Sequence, residues 1–191
     1  MPKSLIFNTY KKQSGMSFIE VLIAMFILVT GVLGAVAMQA SAKKGSFDAL
    51  QRSVASALTQ DIVERMRNND PAALNLYIGT YGANAEGVPA SRCNTLAAVC
   101  NTPAEIRAND IFEFSQALRG ANTTTAAGNR AGGLIDAIGC IAFANSIATI
   151  TISWQGREAT ADGASSNSVA AQGCGTAGNA RRQITLQTFI I

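Results

Sequence analysis

Three regimes of hydrophobic and polar positions follow one another along the chain. From Val21 to Ala42, 22 consecutive residues carry no charge, and up to Met38 they are mostly Val, Leu, Ile, Met, Phe and Ala. At about 1.5 Å rise per residue, a helix of that length spans a bilayer core of roughly 30 Å. Beyond it, Phe47, Leu50, Val54, Leu58, Ile62 and Met66 recur every three or four residues, with Asp48, Arg52, Asp61, Glu64, Arg65 and Arg67 between them. That spacing predicts an amphipathic helix with those six apolar residues on its buried stripe. The sequence NNDP at 68–71 stops it, because a proline disfavours helix at the residue before it and Asn and Asp favour turns. If wholly helical, Met16 to Arg67 would measure about 78 Å.

The third regime lies near the end of the chain and alternates. Ala148, Ile150, Ile152 and Trp154 interleave with Ile147, Thr149, Thr151 and Ser153; Ile184, Leu186 and Thr188 interleave with Gln183, Thr185, Gln187 and Phe189. Period two predicts half-buried strands, with Cys140 to Phe143 as an earlier one and the apolar end at 189–191 as core strand. Residues 72–101 show no period and read as a loop closed by Cys93 and Cys100. Thr102, Pro103 and Glu105 form a helix start, with N-cap, first-turn proline and capping-box acid in place. Ile106, Ile111, Phe114 and Leu118 give that helix a buried stripe. The small, polar run 120–133 reads as a loop, and 155–182 as a Gly-, Ala- and Ser-rich connection too long for a tight hairpin.

Composition sharpens this picture. The chain is 48% hydrophobic but only 14% charged, against about 25% charged in soluble domains. Its net charge of +3 comes from position: of 15 Lys and Arg residues, Lys3, Lys11 and Lys12 precede Gly15, leaving 12 against 12 acids. Positive charge beside a spanning helix marks its cytoplasmic side, and the remainder has no basic domain for nucleic acid. The Arg181–Arg182 doublet reads as a solvated strand end. Histidine is absent, which removes the commonest general base and zinc ligand. The acid pairs Asp110/Glu113 and Asp61/Glu64 stand one helical turn apart and read as polar helix faces. No catalytic residue, metal or cofactor is therefore expected, and the chain reads as a non-enzyme. Cys93, Cys100, Cys140 and Cys174 all lie far past the apolar run, an even count that reads as two disulfides in an oxidising compartment. Of three connectivities, Cys93 with Cys100 and Cys140 with Cys174 is expected, since it closes both loops locally.

Glu20 breaks the apolar pattern at its outer edge, where a charge at membrane depth costs on the order of 2.5–3.5 kcal/mol. It lies in KKQSGMSFIEVLIAM, which resembles the class III signal of type IV prepilins and pseudopilins: a basic leader ending in glycine, then a hydrophobic helix with glutamate at the fifth place. The resemblance implies cleavage by a prepilin peptidase between Gly15 and Met16 and N-methylation of Met16. Methionine departs from the usual phenylalanine at that place. Met16 and Glu20 would share one helical face at i and i+4, and in pilin fibres such a glutamate pairs with a neighbour's amine and sets subunit registry. Gly31 and Gly34 are candidates for the locally unwound segment of pilin helices or, equally, for close helix packing.

The whole pattern resembles the α+β type IV pilin fold, with a long N-terminal α-helix, first transmembrane and then amphipathic, packed on a small antiparallel β-sheet head with disulfides. The expected division is a 1–15 leader, a 16–42 transmembrane or fibre-core half, a 43–67 amphipathic half and a 68–191 periplasmic or extracellular head. More narrowly, ALTQDIVERMRNND, NDIFEFSQAL and SWQGRE resemble the PilV family of minor pilins. That resemblance implies a low-copy subunit that primes assembly of a type IV pilus serving adhesion and twitching motility. Its partners would be other minor and major pilins, the prepilin peptidase, the inner-membrane assembly machinery and the membrane itself, with no specific nucleic acid. It would sit single-pass in the inner membrane, N-terminus cytoplasmic before processing, and then in the extracellular fibre. Alternatives are a minor pseudopilin of a type II secretion system, for which this head is large, and a DNA-uptake or adhesive pilin.

Overall fold

A computed structural model describes residues 15–94 and 99–190. The expected leader, apart from Gly15, and Ile191 lie outside the described residues. The chain divides into two compact units, Met1–Lys43 and Lys44–Ile191, and one helix, α1 (Phe18–Arg67), contributes to both.

In the first unit α1 carries the apolar run, with a mean hydropathy of 2.7 over its most apolar 18-residue window and none of that window buried. Its length and composition suffice to cross a membrane. Thr30, the lone hydroxyl amid the most apolar turns, donates to the carbonyls of Phe26 (3.0 Å) and Ile27 (2.9 Å), so it needs no outside partner. The helix runs unbroken through Gly31 and Gly34, and open space surrounds both.

In the second unit α1 buries Gln51, Ala55, Thr59, Ile62, Val63 and Met66. The predicted stripe holds at Ile62 and Met66 but turns aside earlier: Leu50 is 60% exposed, and Val54 and Leu58 only flank the core. Thr59 can occupy the buried line because its hydroxyl donates back to the Ala55 carbonyl at 2.7 Å.

Past α1, the segment expected to be a loop contains two short elements. Asp70 caps a 3-10 helix, Pro71–Tyr77, its carboxylate accepting from the Ala72 amide at 2.8 Å. Strand β1 (Gly79–Tyr81) follows. Helix α2 (Pro103–Leu118) starts at the predicted capping box: Glu105 N–H donates to the Thr102 hydroxyl (3.2 Å), and the Glu105 carboxylate accepts from Thr102 N–H (3.1 Å). Its end is sealed against the following loop where Gly120, at φ +63°, passes so close to Gly132 that a Cβ would lie 1.6 Å from the Gly132 carbonyl. No other residue type fits there.

Strands β2 (Ile138–Ala144), β3 (Ile147–Gln155) and β4 (Arg181–Phe189) complete an antiparallel sheet of order β1-β2-β3-β4. Asn145 and Ser146, at φ +52° and +61°, turn the β2–β3 hairpin in the left-handed geometry that matches strand twist. As the alternation predicts, Ala148, Ile150, Ile152 and Trp154 point inward, joining Ile62, Met66, Leu74, Tyr77, Phe114 and Leu118 in one core. The expected apolar terminus divides: Phe189 is 58% exposed, while Ile190 is buried with its amide donating to the Ser146 carbonyl at 2.8 Å.

Within this head α1 and β4 run the same way. Near their starts Arg182 approaches Asp48 at 4.0 Å; near their ends Arg67 donates to the Thr188 hydroxyl at 2.8 Å. The sheet end formed by Tyr81, Ile138, Gln155 and Arg181 is therefore the end where Lys44 enters the head. Arg157 lies over the Phe47 ring at 3.8 Å, and Lys44 pairs with Glu158 at 2.7 Å, fastening the loop after β3 onto the helix.

Candidate functional site

Gly15, Met16 and Ser17 precede the helix in exposed, irregular backbone, and α1 begins at Phe18. A Cβ on Gly15 would meet nothing within 4 Å. Ser17 caps the helix through its backbone, its carbonyl accepting from Glu20 N–H (3.0 Å) and Val21 N–H (3.3 Å). Glu20 thus occupies the first turn, exposed, where the positive end of the helix dipole favours an anion. Met16 lies one residue before that cap, outside the helix in this uncut chain. An exposed carboxylate ahead of a run without charge from Val21 to Ala42 is available to a cation from outside the chain.

Residues 10–36 match the family model for the prokaryotic N-terminal methylation motif. That match supports a type IV pilin-like protein. The motif implies processing by a prepilin peptidase and assembly with pilus machinery in general, and with the apolar helix it is consistent with membrane anchoring and surface display. Comparison with curated proteins and with solved structures returned no match.

In the head of this pilin-like chain, Cys93 pairs with Cys100 and Cys140 with Cys174, at Cα separations of 5.0 and 6.0 Å. The second bridge pins the 156–180 connection, with its short helix α3 (Val169–Gln172), to strand β2. Arg181 completes that attachment. It is not a solvated strand end: only 3% exposed, it forms a bidentate pair with Asp162 (2.7 and 2.8 Å) and donates to the Gln172 carbonyl at 2.8 Å. Asp162 also accepts from the Ala164 and Gly178 amides, at 2.9 and 3.1 Å. The guanidinium, with these amides, holds the Asp162 carboxyl down to about 2.

The two acid pairs meet at Arg65, which Asp61 and Asp110 share, while Glu64 and Glu113 take other partners. Asp61 pairs with Arg65, Glu64 with Arg67 and Glu113 with Arg92, whose guanidinium also covers the Phe112 ring. Asp110 leaves the polar face altogether. At 6% exposure it accepts from the Tyr77 hydroxyl (2.5 Å) and from Arg65 (3.4 Å), while Asn69 donates to the same hydroxyl at 2.9 Å. Burial raises the Asp110 carboxyl although Tyr77 and Arg65 pull it down; burial and the Asp110 acceptor together push the Tyr77 phenol up. The network ties the end of α1, the 3-10 helix and α2 into one unit. Nothing local in the sequence marks Tyr77 or Asp110 as partners. Among the described residues, no group of three or more acidic or Cys residues is placed to hold a metal ion.

Proposed function

We propose that the chain is a non-enzymatic minor pilin, cut between Gly15 and Met16, methylated at Met16, and incorporated at low copy to prime a type IV pilus. The observation that carries this reading is Glu20 in the first turn of α1, ahead of the charge-free run from Val21 to Ala42 and just after exposed backbone at Gly15 and Met16. A plain anchor has no use for a carboxylate there; a fibre subunit uses it to select its axial position against a neighbour's amine. The disulfides and the Arg181–Asp162 pair suit a head that must persist outside the cell. The stretches that resemble PilV support the minor rather than the major role.

Intact mass of the protein from its native membrane tests the processing. Loss of residues 1–15 with gain of one methyl, absent in a strain lacking prepilin peptidase, is the expected result; a chain still starting at Met1 or Pro2 would sink the proposal. Glu20→Val is expected to be processed normally yet missing from sheared fibres. Quantifying the subunit in those fibres tests the minor role, which an abundance equal to the main structural subunit would exclude.

A further inference from the structure

The two edges of the sheet differ. Strand β1 forms one with three residues, whereas β4 runs nine residues along the other, paired with β3 without a break from Gln155↔Arg181 to Ile147↔Phe189. The pairing fixes which backbone groups of β4 face away from the sheet. The Arg181 carbonyl accepts from Gly163 N–H (2.9 Å), and Gln155 N–H turns away to the Ile135 carbonyl (2.9 Å), so Arg181 and Gln155 are a pair without ladder bonds. At the other end Ile190 N–H closes onto the Ser146 carbonyl (2.8 Å). Bonded and unbonded pairs alternate in an antiparallel ladder. Arg182, Ile184, Leu186 and Thr188 therefore bond to β3, and Gln183, Thr185, Gln187 and Phe189 turn their N–H and C=O groups outward.

Gly163 lies over the start of that edge. From Thr185 to Phe189, no backbone group among the described residues bonds to the outward row. Natural sheets blunt such an edge with lysine, proline, a bulge or a covering segment. Between Gln183 and Phe189 there is no charge, no proline and no bulge. On the core side Ile184 and Leu186 are half-buried, although Ile152 and Ile150, opposite them on β3, are 0% exposed. On the other face Thr185 and Gln187 are exposed. The apolar layer thus stops half-covered at β4. One more strand, with apolar residues on the core side and polar ones opposite, would extend it.

We propose that the edge of β4 from Thr185 to Phe189 takes an extended segment of another polypeptide, alternately apolar and polar, as an added strand. Its backbone exchanges hydrogen bonds with the outward groups of Thr185 and Gln187, and its apolar side chains lie beside Ile184 and Leu186. Gly163 shows the kind of group this edge accepts, since it meets the Arg181 carbonyl through its own backbone. The partner is a different chain and not a second copy. Two β4 edges would pair antiparallel about a twofold axis, whereas subunits of a helical fibre are related head to tail; this choice rests on the fibre reading proposed above. A neighbouring copy's other edge, β1, offers only three residues.

The test uses the full chain in neutral detergent micelles and, as probe, a short fluorescent peptide of alternating valine and threonine. Anisotropy should report saturable binding. Amide exchange should slow at Thr185 and Gln187, while Ile184 and Leu186, already in the ladder, stay as they were. Gln187→Pro removes an outward N–H and leaves the bonds to β3 in place; it should weaken peptide binding about tenfold with an unchanged urea midpoint. Thr185→Lys, which guards the edge without altering the backbone, should also weaken binding. A peptide of the same composition with its valines and threonines in two blocks should not bind. Unchanged exchange at Thr185 and Gln187 under saturating peptide would overturn the proposal, as would equal binding by both variants and the unaltered chain. Dimers of the chain alone that Gln187→Pro dissolves would overturn the choice of a different chain. A chain that intact mass shows uncut, yet whose Thr185 and Gln187 amides the peptide protects, would refute the fibre and leave the edge standing.

Discussion

Replacing Tyr77 with Phe removes one oxygen from the buried network and leaves the ring in place. Two hydrogen bonds go: the one donated to Asp110 at 2.5 Å and the one accepted from Asn69 at 2.9 Å. A bond to a buried charged group contributes about 1.5–3 kcal/mol and a neutral one about 1 kcal/mol. Asn69 keeps the Pro103 carbonyl at 3.0 Å, so part of the second loss is recovered. A net cost of about 2–3 kcal/mol at pH 7 follows, roughly 30- to 150-fold in the folding equilibrium. Its pH dependence identifies the cause. The folded Asp110 carboxyl is raised, so its contribution is full at low pH and is lost as pH rises through the folded value; without the phenol it rises further. As pH falls and the carboxyl takes up its proton in both proteins, this share of the cost disappears. Tyr77 is raised too, so the intact protein loses stability above about pH 10 where the Phe variant has nothing to ionise. The cost should therefore peak between these limits. Urea unfolding followed through Trp154, the single tryptophan and a core residue, measures it, with an unchanged m-value expected. A cost below about 0.5 kcal/mol at pH 7, or one flat in pH, would refute a buried charged partner for the hydroxyl.

Asp162→Asn should loosen the 156–180 connection. The carboxyl is depressed to about 2, so its contribution is present above the unfolded value near 4 and is lost as pH falls towards 2. The variant should show faster amide exchange over 163–178 and a shallower acid limb of unfolding; unchanged exchange would mean that Arg181 does not hold the loop through it. The disulfides should differ in effect: on the chain-entropy model, Cys140→Ala with Cys174→Ala costs about 4 kcal/mol and Cys93→Ala with Cys100→Ala about 2.5 kcal/mol, for closed loops of about 35 and 8 residues. Equal unfolding midpoints for the two double variants would contradict that order.

What the sequence made legible is what repeats at short range. The charge-free run, the Thr102–Glu105 capping box and the alternation through β3 each carry their own period or spacing, so each can be read from one window. The buried line of α1 is less legible because Gln51 and Thr59 lie on it and Leu50 does not. There the fit against the sheet outweighs residue type. Strand β1 has three residues and the 3-10 helix seven, too short for a period to show. The polar partnerships were hidden for another reason. Tyr77 and Asp110 are 33 positions apart and Asp162 and Arg181 are 19 apart, with no local signature to join them. Burial converted Asp110 from a surface acid into an internal acceptor. At the start of the chain the residue pattern was informative, and in the uncut chain the helix begins at Phe18, two residues past Met16.

The parallel course of α1 and β4 bears on mechanical load. A pull on Lys44 along the helix axis would slide α1 past the sheet instead of peeling it away. In that shearing geometry Ala55, Thr59, Ile62 and Met66 are strained together, so rupture must break the row at once. The Lys44–Glu158 and Arg157–Phe47 contacts lie where the tension enters. The Lys44–Glu158 pair, exposed and individually weak, can slip and re-form at little cost, damping a tug before it reaches the row behind it.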